Sequence, residues 1–414
     1  MVNLYSYLTD NTIEKVVMYP NAYKAGTLYS IYGDDFTSVR ASNAYRLNNL
    51  GNLELMGNNV PRCDYSNGTC PELLVEKESE NVLLYSRKYN EFPEWNFNSV
   101  SFNPSGTLSL DGTNNAFEVV EDSGVDEHYF YQNFTFGGTE LATGSIIAKA
   151  NTRDVIYLYF LDALGNRFIT WFDLSNGQVL TNNDGNIANI KLIADGWYLC
   201  EISNTLDFNA GSSSFTYGLS TADAVTSYNG DGTSGAYFDF AQLELGDYAT
   251  SRINTTTTTV TRPRDVIHQA VSNTTELTLY AEVNLQSGAN SANDAEVLVS
   301  LNDGSTDLYL MISATNTNEI VVQVYNDPDI YTYTSDPLPD GSIKVGVLLD
   351  TTDIKIFLGG IEVVDDAHLI GLIAYNRLDL GSIAGSLYPV KDTIKSVIYF
   401  DTMITEQEMI DLTL

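Results

Sequence analysis

The sequence predicts an all-β protein made of two antiparallel β-sandwiches, the first a jelly roll, behind an irregular N-terminal arm. Three observations lead there. Val, Ile, Thr and Tyr recur in short runs that alternate apolar with polar side chains, the period of a half-buried strand. Asn, Asp, Gly and Ser break these runs about every eight to twelve residues, as turns do in an antiparallel sandwich. The 414 residues, 43% hydrophobic and 11% aromatic, hold enough apolar surface for two or three separate cores.

Residues 1–75 mix polar and aromatic residues with no long periodic stretch, so they are expected to form an arm ordered by packing against neighbours. The arm ends in NNVPRCDYSNGTCPELLVE, where Cys63 and Cys70 bracket the turn DYSNG. A disulfide closing this small loop in an oxidising setting and two free thiols both fit. Zinc would need more thiol or imidazole ligands, and no histidine lies close by.

Residues 76–262 carry the first sandwich. DVIYLYFLDALGN and RFITWFDLSNGQV read as two strands around a turn at Asp162 to Asn166, with Asn176-Gly177 marking the next turn. IANIKLIADGWYLCEIS turns at Asp195-Gly196, SSFTYGLSTA follows, and GAYFDFAQLEL supplies a closing strand before Gly246 and Asp247 turn the chain outward. The run Thr255 to Thr259 favours extended backbone and suits a semi-stiff linker, punctuated by Arg262, Pro263, Arg264 and Asp265.

Residues 263–414 carry the second sandwich. ELTLYAEVNLQ, EVLVSLNDGSTDLYLMIS, EIVVQVYND, SIKVGVLLDTTDIKIFLGGIEV and TIKSVIYFDTMITEQEMIDL are strands separated by Asn-Asp-Gly, Asp-Thr-Thr-Asp and Gly-Gly turns. Thr405 with Glu408 three residues later fits a capping box, so a short helical turn is expected over EQEMIDL.

Charge limits the partners. With 20 Lys+Arg against 54 Asp+Glu, a formal net charge of −34 repels nucleic acid and anionic membranes. No eighteen apolar residues run together, so membrane insertion is not expected, and the N-terminal stretch lacks the charged and apolar regions of a secretory signal, which implies synthesis in the cytoplasm. The acidity reads as a solvated surface, with calcium sites or a solvent-facing particle protein as narrower readings. Asp303 and Asp307 in LNDGSTD, and Asp350 and Asp353 in DTTD, are candidate calcium ligands with hard oxygens. The same residues are also good turn formers.

ENVLLYSRKYNEFPEWNF, IADGWYLCEIS and GAYFDFAQLELGDYATSRINTTTTTVTR resemble the carbohydrate-binding-module-like jelly roll that recurs in bacteriophage virion proteins, especially tail fibres and related appendages. NNVPRCDYSNGTCPELLVE is similar to the lead-in found there, although KESEN at 77–81 and the two cysteines depart from the pattern, so no ligand is carried over. RLDLGSIAGSLYPVKDTIKSVIYFDTMITEQEM resembles the closing stretch of a concanavalin A-like, laminin-G-like module of the kind that often follows this jelly roll. The two resemblances span roughly residues 58 to 414 and rest on structural motifs, which specify architecture better than chemistry.

They imply a virion structural protein such as a fibre, spike or head fibre, attached through its arm to head, neck or tail components, exposed on the particle and assembled as a homo-oligomer, with a trimer expected. Host cell-surface polysaccharide would be the target of the outward sandwiches. The alternative is a capsid or neck decoration protein without glycan binding.

Catalysis finds little support. A glycoside hydrolase on such a sandwich needs two facing carboxylates on a Glu-x-Asp-x-(x)-Glu strand, and the sequence holds no such strand. His128, His268 and His368 stand outside any Gly-x-Ser-x-Gly elbow and are expected to be ordinary surface or edge residues. A polysaccharide depolymerase is therefore the less favoured reading, and binding the favoured one. Sugars are held by aromatic faces against their C–H patches and by planar polar side chains on their hydroxyls. Trp171, Tyr157 and Tyr159, the last two sharing a strand face, and Tyr325, Tyr331 and Tyr333 around the turn NDPDIYTYTSD are the candidates; core packing is the competing role. Trp95 and Trp197 fall in the matched framework and are expected to be structural.

Overall fold

The computed structural model describes the chain apart from residues 1–4, 11, 25–26, 32–33, 105–106, 114–115, 184, 209–212, 286–295, 316, 327–328, 368–373 and 387–392. It contains the two antiparallel sandwiches expected from the alternation. In the jelly roll, one sheet orders the strands Val100–Pro104, Phe117–Glu121, Gly235–Leu245, Thr139–Lys149, Trp197–Asp207 and Ile187–Ala194. The facing sheet orders Gln178–Asn182, Arg167–Asp173, Val155–Leu161, Ser213–Ser220, Ser123–Phe134 and Ser227–Asp231, with the short strand Asn96–Asn98 paired to Ser123–Phe134.

Alternation decides what each strand buries. Along Val155–Leu161, Ile156, Leu158 and Phe160 enter the core with Trp95, Phe130, Phe215, Tyr217, Ile146 and Phe238. Gly144 makes room for this packing, because a Cβ there would lie 2.1 Å from Cζ of Phe215. The turn after Leu161 is built by Asp162, whose Oδ1 accepts from the backbone N–H groups of Leu164 at 2.9 Å and Asn166 at 2.7 Å.

The second sandwich draws on both ends of the sequence. Its first sheet orders Thr27–Ser30, Lys15–Lys24, Thr393–Phe400, Glu276–Leu285, Gly341–Asp350, Ile354–Leu358 and Ile361–Asp366. Its second orders Asp329–Thr334, Ile320–Asn326, Leu308–Ala314, Glu296–Asn302, Arg377–Leu380, Val266–Ala270 and Thr37–Val39. Val16 and Met18 therefore sit in one core with Leu279, Val347, Val397 and Tyr399. The segment expected as an arm thus lends strands to both sheets of the C-terminal sandwich, and the jelly roll is inserted between the two parts of that sandwich. A hairpin of the same segment, Ala44–Leu47 with Leu53–Met56, turns the other way: Tyr45 and Leu53 pack on the outside of the jelly roll against Ile147, Trp197 and Phe240.

Where the chain leaves the C-terminal sandwich and returns to it, a buried ionic joint ties the crossing strands. Arg40 Nη1 meets Asp265 Oδ1 at 2.7 Å, Arg62 Nη1 meets Glu76 Oε2 at 2.6 Å, and Arg62 Nη2 also pairs with Asp265. Arg262 Nη2 lies 3.4 Å from the same Glu76 oxygen, and Ser251 N donates to Glu76 Oε1 at 2.7 Å. The threonine run is fastened as well. Thr255 is buried, donating to Leu83 O and accepting from Ser86 N, while Thr256 O accepts from Tyr85 N.

The helix Glu406–Thr413 has the expected capping box, with the Thr405 side chain accepting from Glu408 N and the Glu408 side chain accepting from Thr405 N. It packs Met409 onto Tyr280, Leu348, Phe357 and Phe400 on the outside of the first sheet.

Candidate functional site

The open face of the jelly roll's second sheet carries the aromatic residues that the core does not use. Directly paired residues of antiparallel strands point to the same side of a sheet. Two cross-strand rows follow. One runs Asn98, Tyr129, Gly218, Tyr157, Trp171; the other runs Asn96, Tyr131, Thr216, Tyr159, Ile169. The structure thus brings Tyr157, Tyr159 and Trp171 together and adds Tyr129 and Tyr131. Tyr157 and Tyr159 stack at 6.1 Å between centroids, Trp171 lies 6.1 Å from Tyr157, and Tyr129 lies 5.9 Å from Tyr131 and 6.5 Å from Tyr159.

The rings differ in access. Tyr157 is fully buried, Tyr159 7% and Trp171 4% exposed, whereas Tyr129 and Tyr131 are half-buried. Gly218 explains the depth of Tyr157: the ring lies so close that a Cβ on Gly218 would stand 2.0 Å from Tyr157 Cζ. Trp171 is pinned by its indole N–H, which donates to Val225 O at 3.0 Å. Tyr159 lies beneath Arg167, whose guanidinium carbon is 4.0 Å from the ring centroid. Arg167 in turn makes a two-pronged pair with Glu127, Nη1 to Oε1 at 3.0 Å and Nη2 to Oε2 at 3.2 Å. Burial alone would raise the Glu127 pKa, but the Arg167 hydrogen bonds hold it below its ordinary value. Asn98 Nδ2 donates to Glu127 O at 2.5 Å, which fixes one amide beside the tyrosines.

The tyrosines of the second sandwich do not form one site. Tyr331 and Tyr333 lie on the strand Asp329–Thr334 rather than in a loop, opposite the core residues Val324 and Val322, and pack against that core. Tyr325 points to the other side and stacks on Tyr309 at 5.4 Å. The alternation of a strand separates them.

The calcium candidates are likewise not gathered into one set. Asp303 Oδ1 accepts from Ser305 N at 2.9 Å, and Asp350 Oδ1 from Thr352 N at 2.6 Å and Asp353 N at 2.8 Å. Asp10, Asp111, Asp173 and Asp231 use the same contact with a Ser or Thr two residues on. These six aspartates thus close turns. Among the described residues, no group of three or more His, Cys, Asp or Glu side chains is placed to hold a metal ion.

Cys63 is buried, Cys70 exposed, and both are free thiols; burial pushes the Cys63 thiol up to about 12. His128, expected near the surface, is fully buried, with Nδ1 2.8 Å from Ser99 O. His268 is half-buried on the strand Val266–Ala270, and His368 lies outside the described residues. Trp95 and Trp197 are buried, in keeping with a structural role. Between the N-terminal hairpin and the jelly roll lies a cavity of about 180 Å³. Its polar walls are already engaged, Arg46 with Glu54 at 2.9 Å and Asp64 with Leu47 N at 2.7 Å.

Sequence reasoning missed Tyr129, Tyr131, Arg167 and Glu127. HYFYQNF spaces Tyr129 and Tyr131 two apart, as IYLYF spaces Tyr157 and Tyr159, and that repeated spacing was the available signal.

No protein-family model matches the sequence, and no curated protein matches it. Solved structures show local likeness. The carbohydrate-binding module CBM40 of the Ruminococcus gnavus IT-sialidase, bound to α2,3-sialyllactose, is 18% identical over 34% of this chain and 84% of its own, with a TM-score of 0.30. Domain 4 of AbnA, a GH43 extracellular arabinanase from Geobacillus stearothermophilus in complex with arabinotriose, is 13% identical over 41% of this chain and 86% of its own, with a TM-score of 0.30. Domains LG4-5 of the mouse laminin α1 chain are 11% identical over 64% of this chain and 85% of their own, with a TM-score of 0.23. At such scores the likeness carries no argument about what this chain binds.

Proposed function

We propose that this chain is a non-enzymatic structural protein of a bacteriophage virion, an appendage that contacts other virion proteins and copies of itself, and that the open face of its jelly roll binds host-surface polysaccharide. The observation that carries the binding reading is the pair of accessible rings Tyr129 and Tyr131, set in cross-strand rows with Asn98 and Asn96. Rings supply stacking for sugar C–H faces, and amides supply paired donors and acceptors for hydroxyls. The virion reading rests on the sequence resemblances. Trimeric assembly would multiply a weak site through avidity.

The test is a host-envelope glycan panel presented to the full-length protein and to a Tyr129→Ala/Tyr131→Ala variant. Binding by the parent and its loss in the variant, with unchanged melting temperature, supports the reading. No binding by the parent, or equal binding by both, removes it.

A particle-architecture role is the second reading, favoured by the buried ionic joint, which ties the strands that cross between the two sandwiches. Cryo-electron microscopy of purified particles separates the two. Density at a fibre or spike tip favours adhesion, and density over the capsid or within the neck favours architecture.

A further inference from the structure

We infer that the Arg167–Glu127 pair is a displaceable cover over a second, concealed saccharide subsite whose floor is Tyr159 and Tyr157, and that this subsite takes a neutral saccharide. The inference rests on the saccharide reading of the same face and adds a deeper position to it.

Three features argue for it. First, the Arg167 guanidinium occupies the ring face of Tyr159 at 4.0 Å, the place and spacing at which a sugar C–H face stacks on an aromatic ring. Second, Tyr157 Oη in the floor and Arg167 Nε in the cover are buried without a hydrogen-bond partner. Such atoms are costly inside a protein; on opening, a sugar hydroxyl satisfies the first and water the second. Third, the cover is fastened from the solvent side, where the Arg167 and Glu127 side chains are 32% and 29% exposed. Solvent therefore reaches the pair and salt screens it, so a ligand that replaces its contacts can displace it.

A neutral ligand fits better than an acidic one. Glu127 stands at the entrance, and the chain's net charge of −34 repels anions. When the pair opens, Arg167 swings into solvent and keeps its charge hydrated, Tyr159 offers its face to the sugar ring, and Tyr157 Oη meets a hydroxyl. Burial keeps the Tyr157 phenol protonated, so it remains able to donate.

The test uses the full-length protein and its Glu127→Gln variant, with neutral glucose and N-acetylglucosamine oligosaccharides as probes. Without ligand, hydroxyl-radical footprinting reads the access of Tyr159, which should rise severalfold in the variant. With ligand, calorimetry should show the variant binding about fivefold more tightly, the factor that a partly exposed ion pair can withhold. Raising salt from about 0.05 M to about 1 M should tighten binding by the parent and leave the variant unchanged, because screening loosens only the intact pair. Adding Tyr159→Ala to Glu127→Gln should remove the gain.

Unchanged footprinting, or equal affinities with and without Glu127, overturns the concealed subsite while leaving Tyr129 and Tyr131 as a surface site. Affinity for these neutral probes that falls with salt in the parent also overturns it, since screening should loosen the covering pair and tighten binding. Binding of no neutral oligosaccharide by either protein, with Tyr159 access raised, overturns this inference; absence of binding across the host-envelope glycan panel as well overturns the saccharide reading on which it rests.

Discussion

Arg40 and Asp265 are separated by 225 positions in the sequence, yet Nη1 of one meets Oδ1 of the other at 2.7 Å with both side chains buried. Asp265 also receives Arg62 and lies 3.9 Å from Arg262 Nη1, so one carboxylate faces three guanidinium groups. Replacing it with the isosteric amide, Asp265→Asn, removes the carboxylate that Arg40 pairs with and leaves Arg62 and Arg262 with Glu76. The expected loss is about 3–5 kcal/mol of unfolding free energy, the range for breaking a buried ion pair from one side. Urea denaturation followed by circular dichroism measures it.

The same joint makes the fold acid-sensitive. Burial by itself would raise the Glu76 pKa, but Arg262 and Arg62 pull it from 4.5 to about 2, and Asp265 is lowered by the same guanidinium groups. A depressed carboxylate pKa stabilises the folded state above the unfolded pKa, and the stabilisation disappears as pH falls through the folded value. The melting temperature should therefore drop between about pH 4.5 and about pH 2. In Glu76→Gln the neutral-pH stability should be lower and this acid-dependent loss smaller. A parent protein with a flat melting temperature over that window would contradict the account.

Met18 tests how the sequence ends are joined. It is fully buried, paired in register with Val397, and belongs to the core of the C-terminal sandwich. Met18→Ala should cost about 2–5 kcal/mol, as core truncations do. Hydrogen exchange should show protection falling in the strand Thr393–Phe400, across the sequence from the substitution. Protection unchanged there would mean that Lys15–Lys24 contributes little to that sheet.

Gly218 tests the depth of the tyrosine floor. A methyl group there meets Tyr157 Cζ at 2.0 Å, well inside contact distance, so Gly218→Ala must push the ring outward. Overpacking of this kind costs about 1–3 kcal/mol. The expected signature is a lower melting temperature together with higher radical-footprinting access at Tyr157.

Much of the local structure was legible in the sequence. The turn from Asp162 to Asn166, the capping box of Thr405 and Glu408, and the shared face of Tyr157 and Tyr159 depend on neighbouring residues alone, through turn chemistry and a period of two. The candidate site was legible in part. Alternation pairs the two tyrosines, but it cannot say that Tyr129 and Tyr131 lie beside them, because that requires the strand Ser213–Ser220 to pair with both. Tyr331 and Tyr333 illustrate the opposite limit. Their segment is polar enough to read as a loop, yet pairing with Ile320–Asn326 turns both rings toward the core.

The sequence by itself determined the class of fold, many of the strands, and turns such as those closed by Asp303 and Asp350, since each follows from interactions a few residues apart. Tertiary structure alone decided that Lys15–Lys24 completes a sheet with Thr393–Phe400, that Arg40, Arg62 and Arg262 converge on Asp265 and Glu76, and that Arg167 reaches across Tyr159 to Glu127. These are contacts between distant positions. Nothing in local propensity favours one distant partner over another, and only the closing of both sandwiches around their cores selects them.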